Sequence, residues 1–306
     1  MPSVSEVAGV DEASALLRRA SEEGLSVSID RDGGDVVLST ARLDRVLEHE
    51  AGDLTCVVEA GVRIGDLNER LAAHGQMLAL DPPGNPTIGA CIAGDLSGPR
   101  RHRYGTVRDL LLGVTVVLGD GLVANAGGKV VKNVAGYDLG KLFCGSQGRF
   151  GLVVRASLRL HPLPEATATV FAAATTVEGV RDGWRALLGS QLVPSAVDLL
   201  WPEGLAVLFE GSQRAVEVQV AEACRLLGGS EDDGAIWSQI AERQASGRRF
   251  RLASLDDLAA YESGVVRVAA RDTYASEQVT QCCLDEGWSS LVDRIKAELD
   301  PAGVLG

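Results

Sequence analysis

Hydrophobic positions recur along the first 165 residues with two periods, and each change of period marks an element. From Asp11, a good N-cap, Ala15-Leu16-Leu17 begin a helical stripe that runs to residue 23 and stops at Gly24. Residues 25–29 and 36–39 read as strands, and 54–62 (LTCVVEAGV) as a buried strand ending at Gly61. Ile64, Leu67 and Leu71 predict a helix over 63–74, closed by Gly75. Residues 110–118 and 122–126 flank Gly119-Asp120-Gly121, a hairpin signal. Residues 152–160 alternate, and His161-Pro162-Leu163-Pro164 breaks the chain. Beyond it, a β-rich run (166–174), a helix (177–188), two strands around Pro202-Glu203-Gly204 and a helix (215–227) predict a small sheet with helices on one face. Residues 230–263 carry no clear period, 265–270 suit a strand, and 289–299 a closing helix. The chain divides near 163–165, into units of 1–164 and 165–306.

Composition narrows the class. Of 306 residues 46% are hydrophobic but only 4% aromatic, so a core must come from Val, Leu, Ala and Ile. Thirty-six glycines without a repeat mean many tight turns and close backbone approaches. With 29 basic against 42 acidic residues, the net charge of −13 argues against nucleic acid or anionic lipid as a partner. No apolar run reaches the roughly 18–20 residues of a membrane helix, and the first residues lack a basic start and an apolar stretch. The expectation is a cytoplasmic protein with no direct membrane span, any membrane association coming through a partner. Six cysteines without a C-x-x-C pair and four dispersed histidines predict buried thiols, no metal site and no iron–sulfur cluster on this chain.

Three glycine-rich segments are candidates for ligand contact: 82–98 (PPGNPTIGACIAGDLSG), 127–138 (GGKVVKNVAGYD) and 142–153 (LFCGSQGRFGLV). Such segments can lie against a flat or phosphorylated ligand with their N–H groups free for oxyanions; each alone also suits a tight turn. Arg100, Arg101, Arg103 and Arg108 surround Tyr104-Gly105. In so acidic a chain they suit a phosphate or carboxylate, or else a solvated loop or a docking surface for an acidic partner. No G-x-G-x-x-G follows a strand and opens a helix, which argues against a nicotinamide dinucleotide fold.

The order and wording of these segments, above all 127–154 (GGKVVKNVAGYDLGKLFCGSQGRFGLVV), together with 38–44 (LSTARLD), 58–62 (VEAGV) and 299–305 (LDPAGVL), resemble the flavin-binding domain of the vanillyl-alcohol oxidase (p-cresol methylhydroxylase type) superfamily. Within it they are similar to the FAD-binding subunits of bacterial glycolate oxidases. The resemblance implies an α+β protein: a two-lobed FAD-binding domain followed by a smaller, ferredoxin-like cap whose C-terminal helix returns to the first unit. It implies FAD extended between the lobes, lined by Pro83, Thr87, Ile88, Gly89, Ala90, Gly94, Ser97 and Gly98, with Gly148, Gly151 and Val153 at the strand entering the site. Asn133 and Tyr137 belong to the same signature; Tyr137 fits a flavin contact or a half-buried tyrosine, and Asp138 an N-cap. Arg101 and Tyr104 would stand beside the flavin.

The chain departs from the family after residues 25–29. Where relatives carry a glycine-threonine loop for the diphosphate, this chain has Asp30-Arg31-Asp32-Gly33-Gly34-Asp35. Any FAD is then expected to be noncovalent, and a scaffold that has lost FAD is the alternative. With no histidine after His161, the chain lacks the clustered imidazoles of catalytic relatives. The implied role is a subunit beside a catalytic flavoprotein and an iron–sulfur subunit, in a complex oxidising a small 2-hydroxy acid.

Overall fold

The structure, a computed structural model, describes residues 3–129, 139–246, 249–251, 264–268, 275–278 and 286–305. β1 (Ser3–Glu6), α1 (Val10–Glu23), β2 (Val27–Ile29) and β3 (Val36–Ser39) build a small parallel sheet in the order β1-β3-β2. α1 is capped by Gly9, not Asp11; Asp11 lies in the first turn, where its charge still complements the helix dipole. Ala13, Leu17 and Ala20 bury the helix against the sheet, and Gly24 ends it at φ 68°, a left-handed position.

β4 (Val46–Glu50) pairs with β5 (Thr55–Glu59). The predicted strand over 54–62 therefore stops at Glu59, because Ala60-Gly61-Val62 turns to receive other segments. β4 escaped the sequence reading because its burial does not alternate. α2 (Ile64–Ala72) buries the expected Ile64, Leu67 and Leu71 and leads into β6 (Gln76–Met77). Three short helices follow, α3 (Ile88–Gly94), α4 (Arg101–Tyr104) and α5 (Val107–Leu110). The hairpin β7 (Leu111–Val117) and β8 (Val123–Gly127) forms as predicted, and β9 (Leu152–Arg159) inserts between β5 and β7. The result is a five-stranded sheet, β4-β5-β9-β7-β8, antiparallel throughout. β10 (His161–Pro162) pairs with β6.

The second large sheet starts with β11 (Ala166–Ala173), α6 (Val177–Leu188), β12 (Ala196–Trp201), β13 (Gly204–Gly211), α7 (Gln213–Leu227) and β14 (Ser230–Asp232). Its strand order, β14-β11-β13-β12, is the ferredoxin-like β-α-β-β-α-β arrangement. After α8 (Ala235–Ser246), β15 (Arg249–Arg251), β16 (Gly264–Val268) and β17 (Ala275–Gln278) extend it beyond β12. α6 and α7 cover one face over Val170, Val197, Val207 and Phe209. α8 covers the other, with Ile236 and Ile240 on Leu200, Ala206 and Val265. Helices thus lie on both faces, not one. This explains why β13 is buried at seven consecutive positions instead of alternating.

α9 (Glu286–Leu299) closes the chain and returns it to the first sheets, with Ile295 and Leu299 packed on the five-stranded core. The Asp300 carboxylate then accepts the N–H groups of Val304 and Leu305, both at 2.9 Å. Val27 N–H donates to the Val304 carbonyl at 2.6 Å, so the tail lies along β2. Among the described residues no helix is long and apolar enough to cross a membrane.

Candidate cofactor site

The turn after β5 gathers the glycine-rich segments. Gly61 N–H donates to Leu43 O at 2.7 Å and Ala60 N–H to Val154 O at 3.0 Å. Ile88 N–H donates to Val62 O at 2.8 Å, Gly89 N–H to Ala60 O at 2.7 Å, and Ala90 N–H to the Thr87 hydroxyl at 3.2 Å. A Cβ on Gly89 would stand 3.0 Å from Ala60 Cβ, and one on Gly61 would overlap the Thr40 carbonyl oxygen. This corrects the expectation of free N–H groups along 88–90: they are spent inside the protein. Gly89 serves the close approach of α3 to that turn. Segment 82–98 is also no open loop. Thr87 caps a helix that buries Ile88, Cys91 and Ile92.

What α3 presents outward is a face of small residues. Ala90 is exposed and Ala93 and Gly94 are half-buried, with the Leu96 side chain packed over Gly94. The turn that follows residues 139–142 lies across its C-terminal end. Gly145 N–H donates to Ile92 O at 2.9 Å and Gln147 N–H to Ala93 O at 2.8 Å. Gly145 (φ 78°), Gln147 (φ 54°) and Gly148 (φ 79°) are all left-handed. A Cβ on Gly148 would come within 3.1 Å of Ile29 Cδ1, so this turn also abuts the end of β2. Inside it, the Ser146 hydroxyl is buried with no hydrogen-bond partner among the described residues. A partnerless hydroxyl beside a helical face of small residues suits a ligand that is flat and rich in acceptors.

The acidic loop after β2 does not aim its carboxylates at that ligand. Asp30 (φ 48°) turns back and accepts the Thr40 N–H at 2.8 Å together with the Thr40 hydroxyl. Asp35 accepts the Ser26 N–H at 2.9 Å and its hydroxyl at 2.7 Å, bonds that hold its carboxyl below the usual range. Two of the three carboxylates that stand where relatives carry the glycine-threonine loop are thus hydrogen-bonded within the fold.

The remaining expected residues divide by role. Pro83 and Thr87 flank the entry to α3. Ser97 and Gly98 are buried, and a Cβ on Gly98 would overlap Asp81, whose carboxylate holds Arg100 N–H. Arg101 reaches the Ser97 hydroxyl at 3.5 Å. Gly151 packs against Val117 and Phe143, and Val153 lies in the core between β9 and β7. Asn133, Tyr137 and Asp138 fall outside the described residues. Cys56 and Cys91 are buried, which pushes their thiols up to about 12, and among the described residues no cluster suits a metal ion.

The arginine cluster does something neither expectation foresaw: it joins the two sheets. Arg100 donates through Nε and Nη2 to Glu210 Oε1 at 3.0 and 2.7 Å, and Tyr104 donates to Oε2 at 3.3 Å. Burial works against the Arg100 charge, yet Glu210 outweighs it and raises the guanidinium above its ordinary range. Arg103 donates to the Glu210 carbonyl at 3.0 Å and to the Ser195 hydroxyl at 3.3 Å. Glu210, on β13, gave no signal in a strand that reads as apolar.

Residues 6–127, which include the acidic loop, α3 and α4, match the family of FAD binding domains. Over residues 6–127 this chain is similar to FAD binding domains. FAD is the cofactor that the domain is built for. Similar proteins include glycolate oxidase subunit GlcE of Escherichia coli, 32% identical over 65% of this chain and 56% of that protein. Glycolate oxidase subunit GlcD of Bacillus subtilis is 32% identical over 57% and 38%. D-lactate dehydrogenase [cytochrome] 1 of Saccharomyces cerevisiae is 33% identical over 56% and 29%. The matched region thus spans from under a third to just over half of these relatives. The fold is shared with alkyldihydroxyacetonephosphate synthase: TM-score 0.76 at 15% identity, over 98% of this chain and 75% of that one.

Proposed function

We propose that this chain is the FAD-binding subunit of a flavin-dependent oxidoreductase that converts a small 2-hydroxy acid of the glycolate or D-lactate type to its 2-oxo acid. The observation that carries the reading is the match of residues 6–127 to FAD binding domains, with α3, the Gly145–Gly148 turn and the end of β2 packed next to one another. Residues 1–164 hold the cofactor without a covalent bond, and residues 165–306 cover it. Pro83, Thr87, Ala90, Gly94 and the Ser146 hydroxyl line the flavin, while Gly89 and Gly98 serve close packing on Ala60 and Asp81. Gly148, Gly151 and Val153 shape the strand entry, with Arg101 and Tyr104 at the far end and Asn133 and Tyr137 completing the set. FAD, when bound, would supply a carrier for the electrons that the complex takes from the hydroxy acid.

The chain's own residues seat the cofactor and exclude water around it. Substrate oxidation is assigned to a catalytic flavoprotein subunit and onward electron transfer to an iron–sulfur subunit of one complex. That complex is cytoplasmic and meets a membrane only through its partners. The similarity to glycolate oxidase subunits supports this assembly.

The test is the absorbance spectrum of the purified chain. A yellow protein that releases FAD on denaturation is expected. Ala90→Asp puts a charge on the exposed face of α3, at a helix position that tolerates Asp, and flavin content should fall by about tenfold or more. A chain that stays colourless with added FAD, or unchanged flavin in folded Ala90→Asp, refutes the proposal.

A further inference from the structure

α4 is a helix of four residues, and none of its side chains is buried. So short a helix does not hold its own shape, and without an apolar face it has nothing to pack. Polar bonds from two sides set its position instead. From the first unit, the Asp81 carboxylate accepts Arg100 N–H at 3.1 and 3.2 Å. From the second, the Glu210 carboxylate accepts two Arg100 donors and the Tyr104 hydroxyl, while Arg103 donates to Ser195 and to the Glu210 carbonyl. The Tyr104 ring lies between Arg103, 5.5 Å from its centroid, and His161, edge-on at 4.8 Å. The Glu210 side chain is fully buried, so no water competes for its oxygens and its direction is fixed.

The join from α3 to α4 has little slack. Leu96 N–H donates to Cys91 O at 2.9 Å, which ties it to the end of α3. Gly98 lies so close to Asp81 that a Cβ there would overlap its carbonyl oxygen. Arg101 N–H donates to Gly98 O at 3.2 Å, and Arg101 Nη1 reaches the Ser97 hydroxyl at 3.5 Å. A displacement of α4 therefore strains bonds that lead back to α3.

We propose that Glu210 is a positioning residue for the cofactor site. From the second sheet it fixes α4, and through α4 it sets Arg101, Tyr104 and the C-terminal end of α3 against FAD. The proposal rests on the reading of α3 and α4 as parts of the FAD site. FAD affinity then depends on the docking of the second sheet, and by linkage bound FAD strengthens the joint.

Titration of the flavin-stripped chain with FAD, followed by flavin fluorescence, tests this at a temperature where circular dichroism shows every variant folded. Glu210→Gln keeps the shape and one acceptor; it should bind FAD about tenfold more weakly, with a shifted visible flavin band. Glu203→Gln is the control. It breaks an ion pair of 2.7 Å with Arg243 that lies wholly in the second unit, and it should bind FAD as the parent does. Arg100→Met combined with Glu210→Met separates position from stability. That protein should melt near the parent yet stay weak in FAD, because methionines pack but direct neither α4 nor the Tyr104 hydroxyl. Parent-like affinity in Glu210→Gln overturns the proposal, as do equal losses in Glu210→Gln and Glu203→Gln. So does a double variant that regains affinity together with its melting temperature. A parent that takes up no FAD fails the flavin reading and this proposal with it; a yellow parent with an equally yellow Glu210→Gln variant fails this proposal alone.

Discussion

Glu210→Ala tests the joint between the two sheets. The Glu210 side chain is fully buried and Arg100 is 30% exposed. Alanine would strand a largely buried guanidinium, leave the Tyr104 hydroxyl without its carboxylate acceptor and open space on β13. Breaking a buried ion pair by removing one partner costs about 3–5 kcal/mol, and the water still reaching Arg100 argues for the lower end, about 3 kcal/mol. At roughly 2 °C or more per kcal/mol for a chain of this size, the melting temperature should fall by about 6 °C. Glu210→Gln, which keeps the shape and one acceptor, should lose less. Arg100→Met combined with Glu210→Met should recover most of the loss, because a buried pair replaced by apolar groups is often neutral. Calorimetric scanning of these proteins together with the Arg100→Met and Glu210→Met single variants closes a double-mutant cycle. A Glu210→Ala protein melting within about 1 °C of the parent, or a double variant no better than the single, would show that the ion pair is incidental to the joint.

Two further outcomes follow from buried carboxylates. Burial pushes the Glu59 carboxyl up, but its bonds to Arg45 at 2.8–3.1 Å outweigh this and hold it below the ordinary range. Its contribution is therefore full above the unfolded carboxyl pKa and lost as pH falls through the lower folded value. The stability gap between the parent and Glu59→Gln, read by urea melts, should be constant near neutrality and shrink below about pH 4.5; a gap unchanged down to pH 3 contradicts this. Asp300→Ala removes the acceptor for Val304 and Leu305 N–H and should cost about 2–3 kcal/mol in the same assay. It should also expose the tail to carboxypeptidase, and a tail as resistant as the parent's would show that the apolar contacts of Val304 and Leu305 suffice.

The sequence by itself determined the elements whose burial is one-sided. α2, the β7–β8 hairpin, α6 and the β13 turn follow from period, caps and glycines, because there a local pattern and a solvent-facing side coexist. It also carried the resemblance to FAD binding domains, since the glycine-rich wording is dense enough to be read without neighbours. It did not reveal β4, the two-sided cover of the second sheet or the helix hidden in segment 82–98. Each depends on what another segment brings to it. The same holds at the site. Gly89 and Gly98 read as ligand-facing, but a glycine records only that something comes close, and the tertiary structure made that something Ala60 and Asp81. The arginines at 100 and 103 carry no mark of their partners, which lie about a hundred positions away on β13 and in the turn before β12. Whether a charge meets a ligand, water or a buried carboxylate is decided by long-range packing. Only the fold could assign it.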